Sequence, residues 1–205
     1  MRTGAKLSAN LIEAYSDKFR SAVPNLEEVV TKLFIETCDE LKTYEGTLNV
    51  VLHRDLWSNN ILYKHDASGA PAQAVLVDWQ CVRVGPPAFD LAMLLYMTTT
   101  RAFRDRNETV VLRHYYETFD AALKESTRTQ LQELGYGLPE LTAWYERARR
   151  YGILLAMTIM PYALMESVCA ARVFDDPGTY QSYLVEDLIV KIIYKFLCQE
   201  EFTAI

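Results

Sequence analysis

A chain of 205 residues, half of them hydrophobic and 23% charged, buries a core of real size; intrinsic disorder is excluded, and the length suits one domain or one lobe of a larger protein. Lysine and arginine total 21 against 27 aspartate and glutamate, and the formal net charge of −6 argues against a general nucleic-acid or anionic-membrane binder. Cys38, Cys81, Cys169 and Cys198 form no CxxC pair, so neither a zinc cluster nor a disulfide scaffold is expected.

In chain order, Leu7, Leu11, Ile12, Tyr15 and Phe19 make one apolar face of a helix over 7–20. After Pro24, Asn25 and Glu28 have the spacing of a capping box, and Leu26, Val29, Val30, Leu33, Phe34 and Leu41 supply the buried stripe of a second helix. Beyond Gly46 the pattern changes: Leu48–Leu52, Ile61–Tyr63 and Ala74–Val77 read as short strands, the latter two joined as a hairpin by the turn chemistry of 65–71. Gly85-Pro86-Pro87 breaks the chain. Helices are then expected at about 88–100, 107–126, 139–168 and 180–199, with Asp176-Pro177-Gly178 turning between the last two. The uncharged stretch from Tyr151 to Met165 is shorter than the roughly 20 residues of a spanning helix, so a buried core helix is expected there and no membrane partner. Without a signal-peptide pattern at the start, the expected setting is the reducing cytoplasm. The fold class is α+β and mainly helical, with a small strand-and-loop region inserted after two helices.

That inserted region holds the chemistry. His53-Arg54-Asp55-Leu56, followed by Asn60, fits the H-R-D-L-x-x-x-N pattern of a phosphotransferase catalytic loop, and Asp78 comes after the hairpin at the end of an apolar strand. Phosphoryl transfer asks for positioning and charge neutralisation. Asp55 has the character of a base facing an attacking hydroxyl, while the amide oxygen of Asn60 and the carboxylate of Asp78 suit a hard divalent cation. Asp90, in the segment Phe89-Asp90-Leu91-Ala92, stands near a helix start and reads as a cap or a structural brace.

The segment from His53 to Tyr63, with Leu76 to Tyr96, resembles the catalytic core of the ecdysteroid-kinase-like (CHK-kinase-like) family, related to choline kinases and aminoglycoside phosphotransferases. The resemblance covers about residues 48–100, and it implies a single C-lobe domain over 1–205 with a helical remainder from 101 to 200. It implies a protein-kinase-like fold, ATP as co-substrate and Mg²⁺ as cofactor. By the same resemblance Asp55 is the catalytic base, Asn60 and Asp78 hold Mg²⁺, Asp90 braces the loop and His53 supports it from within. The acceptor so implied is a small-molecule alcohol, sterol-like by analogy, with no nucleic-acid partner.

Three features depart from the wider kinase pattern. Arg54 stands where the related small-molecule kinases have glycine; Trp57-Ser58 and Trp79-Gln80 replace the protein-kinase Lys-Pro and Phe-Gly, which favours a small-molecule kinase relative. Only Gly4 and Gly46 precede the motif, and Lys6, Lys18, Lys32 and Lys42 fall in helical or flanking patterns, so a Gly-rich phosphate cover with its strand-borne Lys is missing by this reading. Only the C-terminal lobe is then expected, with poor ATP binding by the chain alone and a partner covering the exposed cleft. Two functions stay open: an ATP- and Mg²⁺-dependent kinase of a small-molecule hydroxyl, or a non-catalytic kinase-like fragment acting by interaction.

Plain structural roles are expected for the rest. Arg54 reads as half of a local salt bridge; Trp57 and Trp79 have the size to line a substrate pocket, but burying area is the favoured reading; His65 and His114 read as surface residues. Tyr115, Tyr116, Tyr145, Tyr151 and Tyr162 admit the same two readings, with packing favoured, and Glu166, Asp175 and Asp176 read either as a face for a cationic substrate or as a solvated acidic face.

Overall fold

A computed structural model of the chain describes Ala9, residues 25–39 and residues 44–163. The helix expected over 7–20 (apart from Ala9), Leu41, the turn at 176–178, the acidic residues Glu166, Asp175 and Asp176 and the last helix lie outside the described residues. The described part is α+β and mainly helical, with two small antiparallel strand pairs. It divides into two compact units, one of Met1–Glu40 with Ile153–Ile205 and the other of Leu41–Gly152.

In the first unit, helix α1 (Leu26–Asp39) carries Glu27 and Glu28 in its first turn, where negative charge favours the helix dipole. Leu26 and Val30 bury with Ala9, as the spacing predicts. Val29, expected in the same stripe, is instead exposed, as is Ile35. Asn25 precedes the helix with φ +59, not the extended backbone a capping box uses.

The second unit starts with β1 (Val50–Leu52), which pairs antiparallel with β4 (Arg83–Gly85); Leu52 faces inward, 2% exposed, while the opposed Val51 and Val84 face out. Strand β4 escapes a sequence reading because three residues running into Gly-Pro-Pro look like a break. Between them β2 (Ile61–His65) and β3 (Pro71–Leu76) form the expected hairpin, in register Ile61 with Leu76 and Leu62 with Val75. Asp66 closes its turn by accepting from Ser68 Oγ at 2.6 Å, Ser68 N at 2.8 Å and Ala70 N at 3.1 Å, which holds its carboxyl below the ordinary range.

Helices follow: α2 (Ala88–Thr98), α3 (Arg101–Ala122), α4 (Glu125–Glu133) and α5 (Leu138–Ala163). Helix α3 starts earlier than its apolar pattern suggests because Thr100 caps it, its side chain accepting from Phe103 N at 3.2 Å. Helix α4 has no buried residue, so no hydrophobic period announces it; Arg128 pairs with Glu125 on the same helix and ties it to Asp120 on α3. Among the described residues no helix is long and apolar enough to cross a membrane.

Helix α2 is the centre of this unit. Ala88, Phe89, Ala92, Met93 and Met97 are almost wholly removed from solvent, as are Leu141, Tyr145 and Ala148 on α5. Phe89 meets Trp144 and Tyr151 edge-on, with ring centroids 6.5 and 5.9 Å apart. The two helices approach closely at Gly152, where a Cβ would lie 2.9 Å from the Ala92 carbonyl oxygen. Polar ties lock the same packing: Tyr145 donates to Glu108 on α3, and Arg149 Nε donates to the Tyr96 hydroxyl at 3.1 Å.

Candidate active site

The chain leaves β1 at Leu52 and enters a loop whose backbone has no strand partner of its own. Buried N–H groups need acceptors, and Asp90, in the first turn of α2, supplies them. Its Oδ2 accepts from His53 N at 2.6 Å and its Oδ1 from Arg54 N at 3.0 Å. Pro87 occupies the cap position, so of the two roles expected for Asp90 it fills that of brace. Burial raises its carboxyl above the ordinary value, although both backbone donors and the Arg54 guanidinium pull the other way.

His53, 2% exposed, ties the loop to the next strand. Its Nδ1 accepts from Asp55 N at 3.3 Å, so its Nε2 carries the proton and donates to the Val77 carbonyl at 2.8 Å. Trp79 packs on this ring with centroids 4.6 Å apart and donates from Nε1 to the Leu76 carbonyl at 3.1 Å. It remains 48% exposed, contrary to the expectation that it buries its area. A residue that must both touch His53 and follow an exposed Asp78 stands at the rim.

Asp55 and Asn60 are brought together by the tight turn Ser58–Asn60, in which Asn60 N donates to the Trp57 carbonyl at 3.0 Å. The buried Asn60 amide nitrogen donates to both the backbone oxygen of Asp55, at 2.8 Å, and its Oδ2, at 2.9 Å. Both amide protons are thereby used inward, and the amide oxygen is the end left over. The Asn60 carbonyl in turn accepts from Val77 N at 3.0 Å, which sets Asn60 beside the residue preceding Asp78. Asp78 has φ +63 and ψ +61, a left-handed kink that ends the strand and starts the turn Trp79–Cys81. Gln80 Nε2 donates to Asp78 Oδ2 at 3.3 Å.

The geometry thus joins Asp55 to Asn60 directly, Asn60 to the Asp78 strand through one backbone bond, and His53 and Asp90 to the loop from behind. Among the described residues none donates to Oδ1 of Asp55, Asn60 or Asp78. An all-oxygen set with unused lone pairs suits a hard divalent cation rather than a thiophilic one.

Sequence reasoning assigned no role to Gln80 or to the Val77 carbonyl; the first stands two residues past Asp78, within reach of its carboxylate, and the second is invisible in any side-chain pattern. Arg54 corrects an expectation. Among the described residues it makes no ion pair; its guanidinium lies 6.0 Å from the Tyr151 ring centre and its Nε is buried without a hydrogen-bond partner. Its backbone is left-handed, with φ +64, which explains why glycine suits this position in the resembling enzymes. His65 and His114 are exposed, as expected.

A loop that joins Asp55 to Asn60, is braced by Asp90 and is bonded to the strand preceding Asp78 is what the kinase-like motif leads one to expect. Residues 1–127 match the ecdysteroid kinase-like family, more than half of the chain, and the protein belongs to that family. It is also 31% identical over 86 residues to an uncharacterized kinase-like protein of Caenorhabditis elegans, a match covering 41% of this chain and 22% of that protein. The match therefore spans under a quarter of that relative's length. No solved structure matches the chain. Family membership implies a protein-kinase-like fold and the general use of ATP and Mg²⁺.

Proposed function

We propose that the protein is a phosphotransferase that moves the γ-phosphoryl group of ATP to the hydroxyl of a small-molecule alcohol, with a sterol-like alcohol as the candidate acceptor. In this reading the described fold is the C-terminal lobe of a protein-kinase-like fold, a single domain with its catalytic core at about 48–100. The observation that carries the reading is the pair of bonds from the Asn60 amide nitrogen to Asp55, which turns a base and a metal-binding oxygen into one preorganised unit.

Each residue then has a task. Asp55 orients the acceptor hydroxyl and takes its proton as the new O–P bond forms and the bond from the γ-phosphorus to the bridging oxygen of ADP breaks. Asn60 and Asp78 are the residues that would hold Mg²⁺, which when bound supplies neutralisation of phosphate charge. Asp90 and His53 fix the loop backbone so that Asp55 needs no reorganisation during the reaction. The exposed, directly opposed Leu62 and Val75 offer a flat apolar surface on the same hairpin, suited to a nucleobase.

The test is transfer of labelled γ-phosphate from Mg·ATP to a panel of alcohols that includes a sterol. The expected result is slow transfer, as poor ATP binding by the chain alone requires, dropping at least about 100-fold in both Asp55→Asn and Asp78→Ala, the scale of losing a positioned general base. A folded protein without transfer to any acceptor favours the non-catalytic reading.

A further inference from the structure

We propose that His53 is a pH-sensitive latch, and that a proton taken up at its Nδ1 releases the Asp55 loop from the strand that leads to Asp78. The proposal rests on the reading of Asp55 and Asp78 as two halves of one site. It goes beyond that reading by naming the group that couples and uncouples them.

The ring bonds to both halves, and the two bonds fix its state. Nε2 lies 2.8 Å from the Val77 carbonyl oxygen, which can only accept, so the proton of the neutral ring sits on Nε2. Nδ1 keeps its lone pair and accepts from the Asp55 N–H at 3.3 Å. The ring is held in that orientation. It is 2% exposed, and Trp79, itself tied to the Leu76 carbonyl, packs on it with centroids 4.6 Å apart. Its own backbone N–H is held by Asp90 at 2.6 Å.

A proton from solvent changes one of these bonds and spares the other. Bound at Nδ1, it makes both ring nitrogens donors. The bond to the Val77 carbonyl persists, while a ring N–H now faces the Asp55 N–H, with no acceptor between them. Two buried donors so opposed cannot stay in contact, and the ring is the partner held from three sides. Asp55 therefore moves. The elements packed on the ring bring Asp90 from α2, Arg54 and Asp55 from its own loop, and Asp78 from the end of the hairpin; the Trp79 indole does not titrate. Three carboxylates against one guanidinium leave an imidazolium with counter-charge of the right sign. Acidification thus displaces Asp55 through a proton that never touches the reacting atoms.

The experiment follows ring and amide nitrogens by nuclear magnetic resonance from pH about 5 to 8, the window in which imidazoles change charge. It uses the native 205-residue chain and His53→Asn, whose side-chain oxygen can accept from the N–H two residues on and does not titrate. The chain has three histidines, and the exposed His65 and His114 serve as ordinary imidazoles for comparison. The expected result is one proton taken up by the His53 ring, with the Asp55 amide signal moving at the same midpoint and those of Ala92 and Met93 on α2 unchanged. In His53→Asn the Asp55 signal should stay put. A His53 ring that remains neutral across the window overturns the latch, as does an Asp55 signal that ignores the ring's midpoint or still moves in His53→Asn. Loss of the α2 signals at the same midpoint overturns it too, because the event is then unfolding. The native chain decides the matter by its two midpoints where His53→Asn does not fold. None of these readouts requires transfer, so they stand or fall apart from the phosphotransferase reading.

Discussion

The Asp90 carboxylate holds the backbone of His53: the His53 N–H donates to Asp90 Oδ2 at 2.6 Å, and the neighbouring Arg54 N–H donates to Oδ1 at 3.0 Å. One side chain thus satisfies two successive loop donors that no strand pairs. Asp90→Ala leaves both without an acceptor and is expected to cost about 2–4 kcal/mol of stability, one to two for each orphaned group. Denaturant unfolding of the two proteins checks this; a loss below about 0.5 kcal/mol, the scatter of ordinary surface substitutions, would deny Asp90 its role as brace.

The same carboxyl makes a pH-dependent contribution. Burial raises its folded pKa above the ordinary 3.8, so the folded protein binds this proton more tightly than the unfolded chain. The resulting stabilisation is complete below 3.8 and is lost as pH rises through the folded value. Comparing native with Asp90→Asn cancels the other carboxylates. The stability difference between them should move against the native protein as pH rises just above 3.8, and a flat difference across that window would contradict the assignment.

Arg54 sits at φ +64 with a buried, unpartnered Nε. Arg54→Ala and Arg54→Gly remove the same guanidinium and differ only in the Cβ. The glycine variant should therefore be the more stable by about 1 kcal/mol, the reverse of the order usual in regular structure. Equal stabilities would mean that the left-handed backbone carries no strain.

Gly152 poses the opposite question. Alanine normally gains up to about 1 kcal/mol over glycine inside a helix. Here the new methyl would stand 2.8 Å from Tyr96 Cδ2 and 2.9 Å from the Ala92 carbonyl oxygen. Overpacking of this kind costs about 1–3 kcal/mol, so Gly152→Ala should be destabilising on balance, with a lowered melting temperature. A stabilised variant would show that α2 and α5 separate easily.

How much of this was legible in the sequence depends on what each feature rests on. Asp55 and Asn60 are five positions apart on one loop, and a local turn suffices to join them, so their spacing carries the information. Asp78 needs the hairpin, which turn residues and two apolar runs announce. The brace was readable only as an alternative to a cap, because both place an aspartate at a helix start. What stayed hidden is conformational. The left-handed backbone of Arg54 leaves no trace in its residue type, and the lack of an ion pair to Arg54 among the described residues defeats the expectation of a salt bridge. Strand β4 is too short to show a period, and α4 buries no residue, with Leu131 its one apolar side chain. Val29 sits at the right spacing for burial but on the margin of its stripe, where spacing alone does not decide.

The account stands on Asp55, Asn60 and Asp78 facing one cation, and nuclear magnetic resonance with Mn²⁺ as a paramagnetic probe addresses that directly. Backbone amide signals of the three residues should broaden together at the same Mn²⁺ concentration, recover together on excess Mg²⁺, and stay sharp in Asp78→Asn. Broadening confined to Asp66 and other exposed acids, or of the three residues at separate concentrations, would mean that they do not form one site.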